Sequence, residues 1–145
     1  MGNRAVITAS KASDVQSAMD IGVYLHWNGG RDSVEAFLKY CELKQYRTPD
    51  TDDYGWARLC QVIGNFFGGS TSIGINLCCC LDCDNGDNGT YIIQGWKIVD
   101  RKYFSEYGIE QNNHDLLDML VDIDNAQPES ERLGRDALVK AVMQV

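Results

Sequence analysis

The sequence predicts an α+β fold, an antiparallel sheet of four or five strands packed with about four helices, in one domain spanning residues 1–145. Three observations carry that expectation. Short runs rich in β-branched and aromatic residues show the period of two that a pleated strand requires. Longer stretches repeat apolar residues at i, i+3, i+4 and i+7, which gives a helix one buried stripe. Asn-Gly and Gly-Gly steps separate these runs, as expected where the chain turns.

The elements follow in order. Residues 4–9 (RAVITA) and 21–27 (IGVYLHW) read as strands with a polar loop between them, hence a first antiparallel pair. In the second of these, Val23, Leu25 and Trp27 share one face and Tyr24 and His26 the other. Asn28-Gly29-Gly30 stops the strand, and Asp32 with Glu35 forms a capping-box pattern ahead of the apolar set Val34, Phe37, Leu38 and Cys41. A second helix is expected over residues 53–67, with Trp56, Leu59, Cys60, Ile63 and Phe67 on its apolar side and Gly68-Gly69 at its end. Residues 72–81 alternate as a strand, placing Ile73, Ile75, Leu77, Cys79 and Leu81 on one face and Cys78 and Cys80 on the other. Residues 82–89 (DCDNGDNG) read as a hairpin connection into a long strand segment, residues 90–104, broken near Gly95. Two helices close the chain. One covers residues 113–124 with Leu116, Leu117, Leu120 and Ile123 buried; the other covers residues 128–143 with Pro128 at its first position.

Composition narrows the function classes. No apolar run approaches the roughly 18 residues of a membrane span, and the N-terminal segment lacks the apolar core of a signal peptide, so a cytosolic location is expected. The formal charge of −8 is unevenly placed. Residues 1–81 hold seven Lys and Arg against eight Asp and Glu, whereas residues 82–145 hold six against thirteen. Such a field repels nucleic-acid phosphates and favours basic protein surfaces, beyond the solubility that any surface charge confers.

The six cysteines supply the most specific local pattern. In a reducing compartment, clustered thiols point to a metal or to ordinary burial rather than to disulfides. Cys80 and Cys83 have the knuckle spacing of a structural zinc site, and Cys78 precedes them on the same strand face. A fourth ligand has to come from His114, Cys41, Cys60, His26 or an acidic side chain, and His114 completes the candidate set. Cys41 and Cys60 otherwise read as core residues. The loop from Asp82 does not fit a calcium-binding EF-hand, having Gly86 and Ile93 where an Asp or Asn and a Glu are needed. No Walker lysine follows Gly68-Gly69-Ser70, and neither histidine has a nucleophile at a catalytic spacing, so no enzymatic activity is expected. Binding is the expected mode of action. Trp27, Tyr46, Tyr54, Trp96, Tyr103 and Tyr107 are candidate anchors. Asp115, Asp118 and Asp122, with Asp124 and Glu129 beyond them, form a candidate acidic partner-binding face whose bland alternative is the solvated side of an amphipathic helix.

Read together, GNRAVIT, GVYLHWNGGRDSVEAFL, YGWARLCQVIGNFFGG and DNGDNGTYIIQGWKIVDR resemble a family of small prophage proteins of Gram-positive bacteria, over most of residues 2–104. Phage accessory proteins of this kind include the type II-A anti-CRISPR proteins. The resemblance implies an inhibitor acting in the cytoplasm of the infected host, binding a basic defence protein such as Cas9 and blocking its loading of target DNA. A nucleotide sponge that captures a host alarm molecule is the second expectation, with Arg31, Arg47 and Arg58 as candidate phosphate ligands.

Overall fold

A computed structural model describes residues 2–49, 53–102 and 114–144. The strands are β1 (Ala5–Thr8), β2 (Ile21–Leu25), β3 (Ile73–Leu77), β4 (Thr90–Gln94) and β5 (Lys97–Lys102). The helices are α1 (Arg31–Leu43), α2 (Asp53–Phe67), α3 (Leu116–Ala126) and α4 (Arg135–Met143), with short 3₁₀ turns at Val15–Ser17, Cys78–Cys80 and Glu129–Glu131. The fold is α+β, as the sequence predicts. The sheet order is β3-β2-β1-β4-β5, and every pairing is antiparallel except β1 with β4.

Alternation along the strands assigns the two faces. Ala5, Ile7, Val23, Leu25, Tyr91 and Ile93 point to one side, where they join Val34, Phe37, Leu38, Cys41, Leu59 and Ile63 of α1 and α2 in the main core. Full burial of such side chains is worth about 1.5–3 kcal/mol each. Helix α3 adds Met119, Leu120 and Ile123 to that core, packing on α1 and α2, and α4 packs on α3. The opposite face has a smaller cluster of Val6, Ala18, Cys78 and Cys83, with Tyr24 and Leu81 against it. Gly22 makes room there: a Cβ on it would lie 2.8 Å from Leu81 and 3.2 Å from the Cys78 sulfur.

The segment of residues 82–89 is not a hairpin. Strands β3 and β4 lie on opposite sides of the β2-β1 pair, so this segment carries the chain across the sheet, and β4 enters parallel to β1. Its two Asn-Gly steps provide positive φ at Gly86 (75°) and Gly89 (70°). Buried Asn85 satisfies the loop from within. Its Oδ1 accepts from the backbone N–H of Asp87, Asn88 and Gly89 at 3.0–3.1 Å, and its Nδ2 donates to the carbonyls of Asp82 and Gly89. Asn88 then clips the loop to the start of β1 through Asn3 and the Arg4 carbonyl. The break near Gly95 (φ 62°) is the β4-β5 hairpin.

Other boundaries shift for local reasons. Strand β3 ends at Leu77 because, after Cys78 N–H bonds in register to the Asp20 carbonyl, the next N–H, that of Cys79, turns to the Ala18 carbonyl, drawing the chain into a 3₁₀ turn and ending the alternation assigned to the cysteines. Helix α1 starts at Arg31 with Gly30 as N-cap, and Glu35 pairs with Arg31 at 2.7 Å instead of reaching back to a cap. The last expected helix is divided: Pro128 opens a 3₁₀ turn, and Gly134 at φ 90° precedes α4. Leu116 is exposed rather than buried, and Met119 takes its place in the core. None of the helices among the described residues is long and apolar enough to cross a membrane.

Candidate functional site

Helix α3 builds the acidic face. Asp115 is its N-cap and accepts from the Asp118 N–H at 3.3 Å. Asp118 and Asp122 are exposed and stand four residues apart, so they share one side of the helix while Leu120 and Ile123 face the core. Glu129 lies exposed in the following 3₁₀ turn. Asp124 is corrected: it lies about 200° around the helix from Asp122 and is only 2% exposed. Its Oδ1 accepts from the Tyr40 hydroxyl at 2.6 Å and from Leu133 N–H at 2.8 Å, and its Oδ2 from Gly134 N–H at 2.9 Å. This carboxylate fixes α3 to α1 and to the entry of α4, and offers nothing to a partner. Burial, then the bond to Asp124, pushes the Tyr40 phenol well above its ordinary range.

Several other acids on the surface have cations. Glu42 has Lys39 at 2.9 Å and Lys97 at 3.1 Å, Asp87 has Arg4 at 2.8 Å, Asp100 has Lys102 at 3.0 Å and Glu131 has Lys44 at 3.5 Å. Among the described residues, Asp115, Asp118, Asp122 and Glu129 make no ion pair. Asp118 gains from the positive end of the α3 dipole, but Asp122 lies beyond the first turn and repels Asp118 across one helical turn. Helix energetics therefore accounts for Asp118 and not for Asp122.

A second concavity, of about 420 Å³, has the opposite sign. It is lined by Gln45, Tyr46, Arg47, Tyr54 and Arg58. The guanidinium groups of Arg47 and Arg58 lie 5.5 and 5.8 Å from the ring of Tyr54, which is exposed, and Lys44 lies 5.8 Å from the Tyr46 ring. Arg31 does not join them; it pairs with Glu35 on α1.

The candidate zinc ligands are not brought together. Cys78 and Cys83 are buried on the sheet face away from the helices, and Cys83 Sγ donates to the Cys78 carbonyl at 3.5 Å. Cys80 is exposed, with its sulfur 3.9 Å from that of Cys79. His114 lies on the helix side, its N–H donating to Asp32 in the first turn of α1 at 2.8 Å. No group of three His, Cys, Asp or Glu side chains among the described residues is placed to hold a metal ion. The donor set does not fit zinc as arranged, because alternation ends at Leu77 and the turn sends Cys80 outward. The buried pair has its own chemistry. The neighbouring Cys78 thiol lowers the Cys83 thiol to about 7, while Cys83, with burial, pushes Cys78 far up.

Cys41 is fully buried and Cys60 is half-buried against the core. His26 is packed, its Nδ1 2.9 Å from the Tyr24 hydroxyl. Trp96 is buried, donating to the Tyr46 carbonyl at 2.9 Å, whereas Trp27 and Tyr54 are exposed. Tyr103 and Tyr107 lie outside the described residues. Comparison with known proteins finds no matching family model, no similar curated protein and no similar solved structure.

Proposed function

We infer that this protein acts by binding, without a chemical step of its own, and that α3 docks its acidic stripe on a basic surface of a partner protein. The observation that carries the reading is Asp122, exposed, unpaired and costly to the helix beside Asp118. A basic partner turns that repulsion into attraction and steers encounter. With the resemblance to prophage proteins, the most concrete partner is a phage-targeted defence nuclease such as Cas9, whose basic channel for guide and target offers the complementary field. An acidic protein seated there denies entry to target DNA.

The test mixes the protein with guide-loaded Cas9 orthologues and follows complex formation by gel filtration and target binding by mobility shift. The reading expects a complex that excludes DNA, weakens with salt, and fails when Asp118 and Asp122 are both replaced by Lys. A complex indifferent to that reversal removes α3 from the contact. Absence of a complex with every orthologue removes Cas9 as the partner.

The concavity around Tyr54 supports a second reading, capture of a nucleotide signal. Two guanidinium groups beside an exposed phenol ring suit a phosphate attached to a planar base. A rise in unfolding temperature with cyclic nucleotides, lost in Arg58→Ala, would favour it.

A further inference from the structure

The sheet ends at β3, and the backbone of that strand is in register for another strand. His26 N–H donates to the Ser72 carbonyl at 2.9 Å and Cys78 N–H to the Asp20 carbonyl at 2.8 Å. With the antiparallel register between β2 and β3, residues 72, 74, 76 and 78 therefore direct their backbone groups to β2. Ile73, Ile75 and Leu77 direct theirs outward. Among the described residues, the one bond to these outward groups is that of Leu77 N–H to the Asn76 side chain at 2.8 Å.

Edge strands of monomeric proteins are ordinarily blunted by a lysine, a proline, a bulge or a covering segment. This edge has none of the first three. The β2-β3 register is regular throughout, and no charged residue or proline occurs between Arg58 and Asp82. Along it an apolar side chain, Ile75, is 55% exposed, and Ile21 of β2 on the same face is 40% exposed.

We propose that β3 pairs antiparallel with β3 of a second copy of this chain about a two-fold axis at Ile75, joining the two sheets into one. The register is self-complementary. Ile75 of each copy donates to and accepts from Ile75 of the other, and the Ile73 N–H of each donates to the Leu77 carbonyl of the other. The two Ile75 side chains then meet across the axis on one face, in continuity with Ile21 of each copy. Charge selects the same occupant. Two molecules of net charge −8 repel at most orientations, and the uncharged stretch that contains β3 is where they approach with least opposition.

The measurement is the oligomeric state of the full chain by light scattering across a dilution series, with hydrogen exchange read at individual amides. A dimer is expected in which the Ile73 and Ile75 amides are protected. Ile75→Pro removes an outward N–H while leaving the bonds to β2, and Ile75→Lys sets two cations face to face; each is expected to weaken dimerisation about tenfold or more, with unchanged circular dichroism. Asn76→Ala, which frees the Leu77 N–H, is expected to strengthen it. A chain that stays monomeric at the highest concentration overturns the proposal. So does a dimer whose Ile73 and Ile75 amides exchange freely, or one that survives both Ile75 variants, because its interface then lies elsewhere.

Discussion

Replacing Asp124 with Ala is the most demanding test of the packing that presents the acidic stripe. The substitution removes the acceptor of three donors at once: the Tyr40 hydroxyl at 2.6 Å and the N–H groups of Leu133 and Gly134 at 2.8 and 2.9 Å. Tyr40 is fully buried, so its hydroxyl has no route to water, and an orphaned buried donor costs about 1–3 kcal/mol. The two backbone N–H groups are partly buried; hydration recovers part of their bonding, which leaves about 1 kcal/mol each. The expected loss is about 3–5 kcal/mol, which lowers the melting temperature by about 6–20 °C for a chain of this size. Urea unfolding followed by circular dichroism measures it. Tyr40→Phe in the same background supplies the control: with no hydroxyl to orphan, Asp124→Ala then costs about 1–3 kcal/mol less. A loss below about 0.5 kcal/mol for Asp124→Ala, the range of an ordinary surface change, would show that the network does not hold α3, and the account of why Asp118 and Asp122 face outward would fail with it.

Four further outcomes are expected. Asn85→Ala costs about 2–4 kcal/mol in the same unfolding assay, since five bonds of the crossing loop pass through one buried side chain. Burial raises the Asp87 carboxyl but the bonds from Arg4 outweigh it and hold it below its ordinary range, so its contribution to stability is present at neutral pH and lost as pH falls through the depressed value; Asp87→Asn flattens the acid limb of a stability-pH profile. Cys83, lowered to about 7 by Cys78, contributes stability that is complete above the ordinary thiol range and declines as pH falls through about 7, so stability rises between those limits and Cys83→Ser removes the rise. Because Cys78, Cys80, Cys83 and His114 do not converge, a chelator leaves the unfolding midpoint unchanged; a clear drop, with about one equivalent of zinc in the purified protein, would show that the loop closes around metal.

Most of the secondary structure was legible because periodicity and turn residues act over a few positions. Helix α2 coincides with its expected span, and the β4-β5 break falls at Gly95, where positive φ is required. Topology was less accessible. The segment of residues 82–89 has the Asn-Gly steps of a hairpin, but nothing local says that Asn88 will bond to Asn3 and Arg4, more than eighty residues earlier, and so send β4 to the far side of β1. The alternation assigned to the cysteines ends for a related reason: the backbone bond from Cys79 to Ala18, out of register with the β2-β3 ladder, stops the strand. The burial of Asp124 is legible in the sequence. The aspartate lies four residues after Leu120 and next to Ile123, on the apolar stripe itself, and a carboxylate in that position demands buried donors. The concavity around Tyr54 required Arg47 to approach a helix it precedes in sequence, which spacing alone does not reveal.

The acidic stripe and the β3 edge answer to different forces, and salt separates them. Attraction between exposed carboxylates and a basic partner is screened over about 8–10 Å at physiological ionic strength and weakens further as salt rises. Strand pairing between uncharged edges depends on backbone bonds and on apolar contact at Ile75, and screening relieves the repulsion between two copies of net charge −8. Raising salt is therefore expected to dissolve the complex with a basic partner while strengthening self-association. A dimer also presents two α3 stripes, so its affinity for an extended basic surface exceeds that of the Ile75→Lys monomer where both stripes can engage. If salt weakens both associations together, the carboxylates take part in both, and the division of this molecule into an acidic helical surface and a neutral sheet edge is wrong.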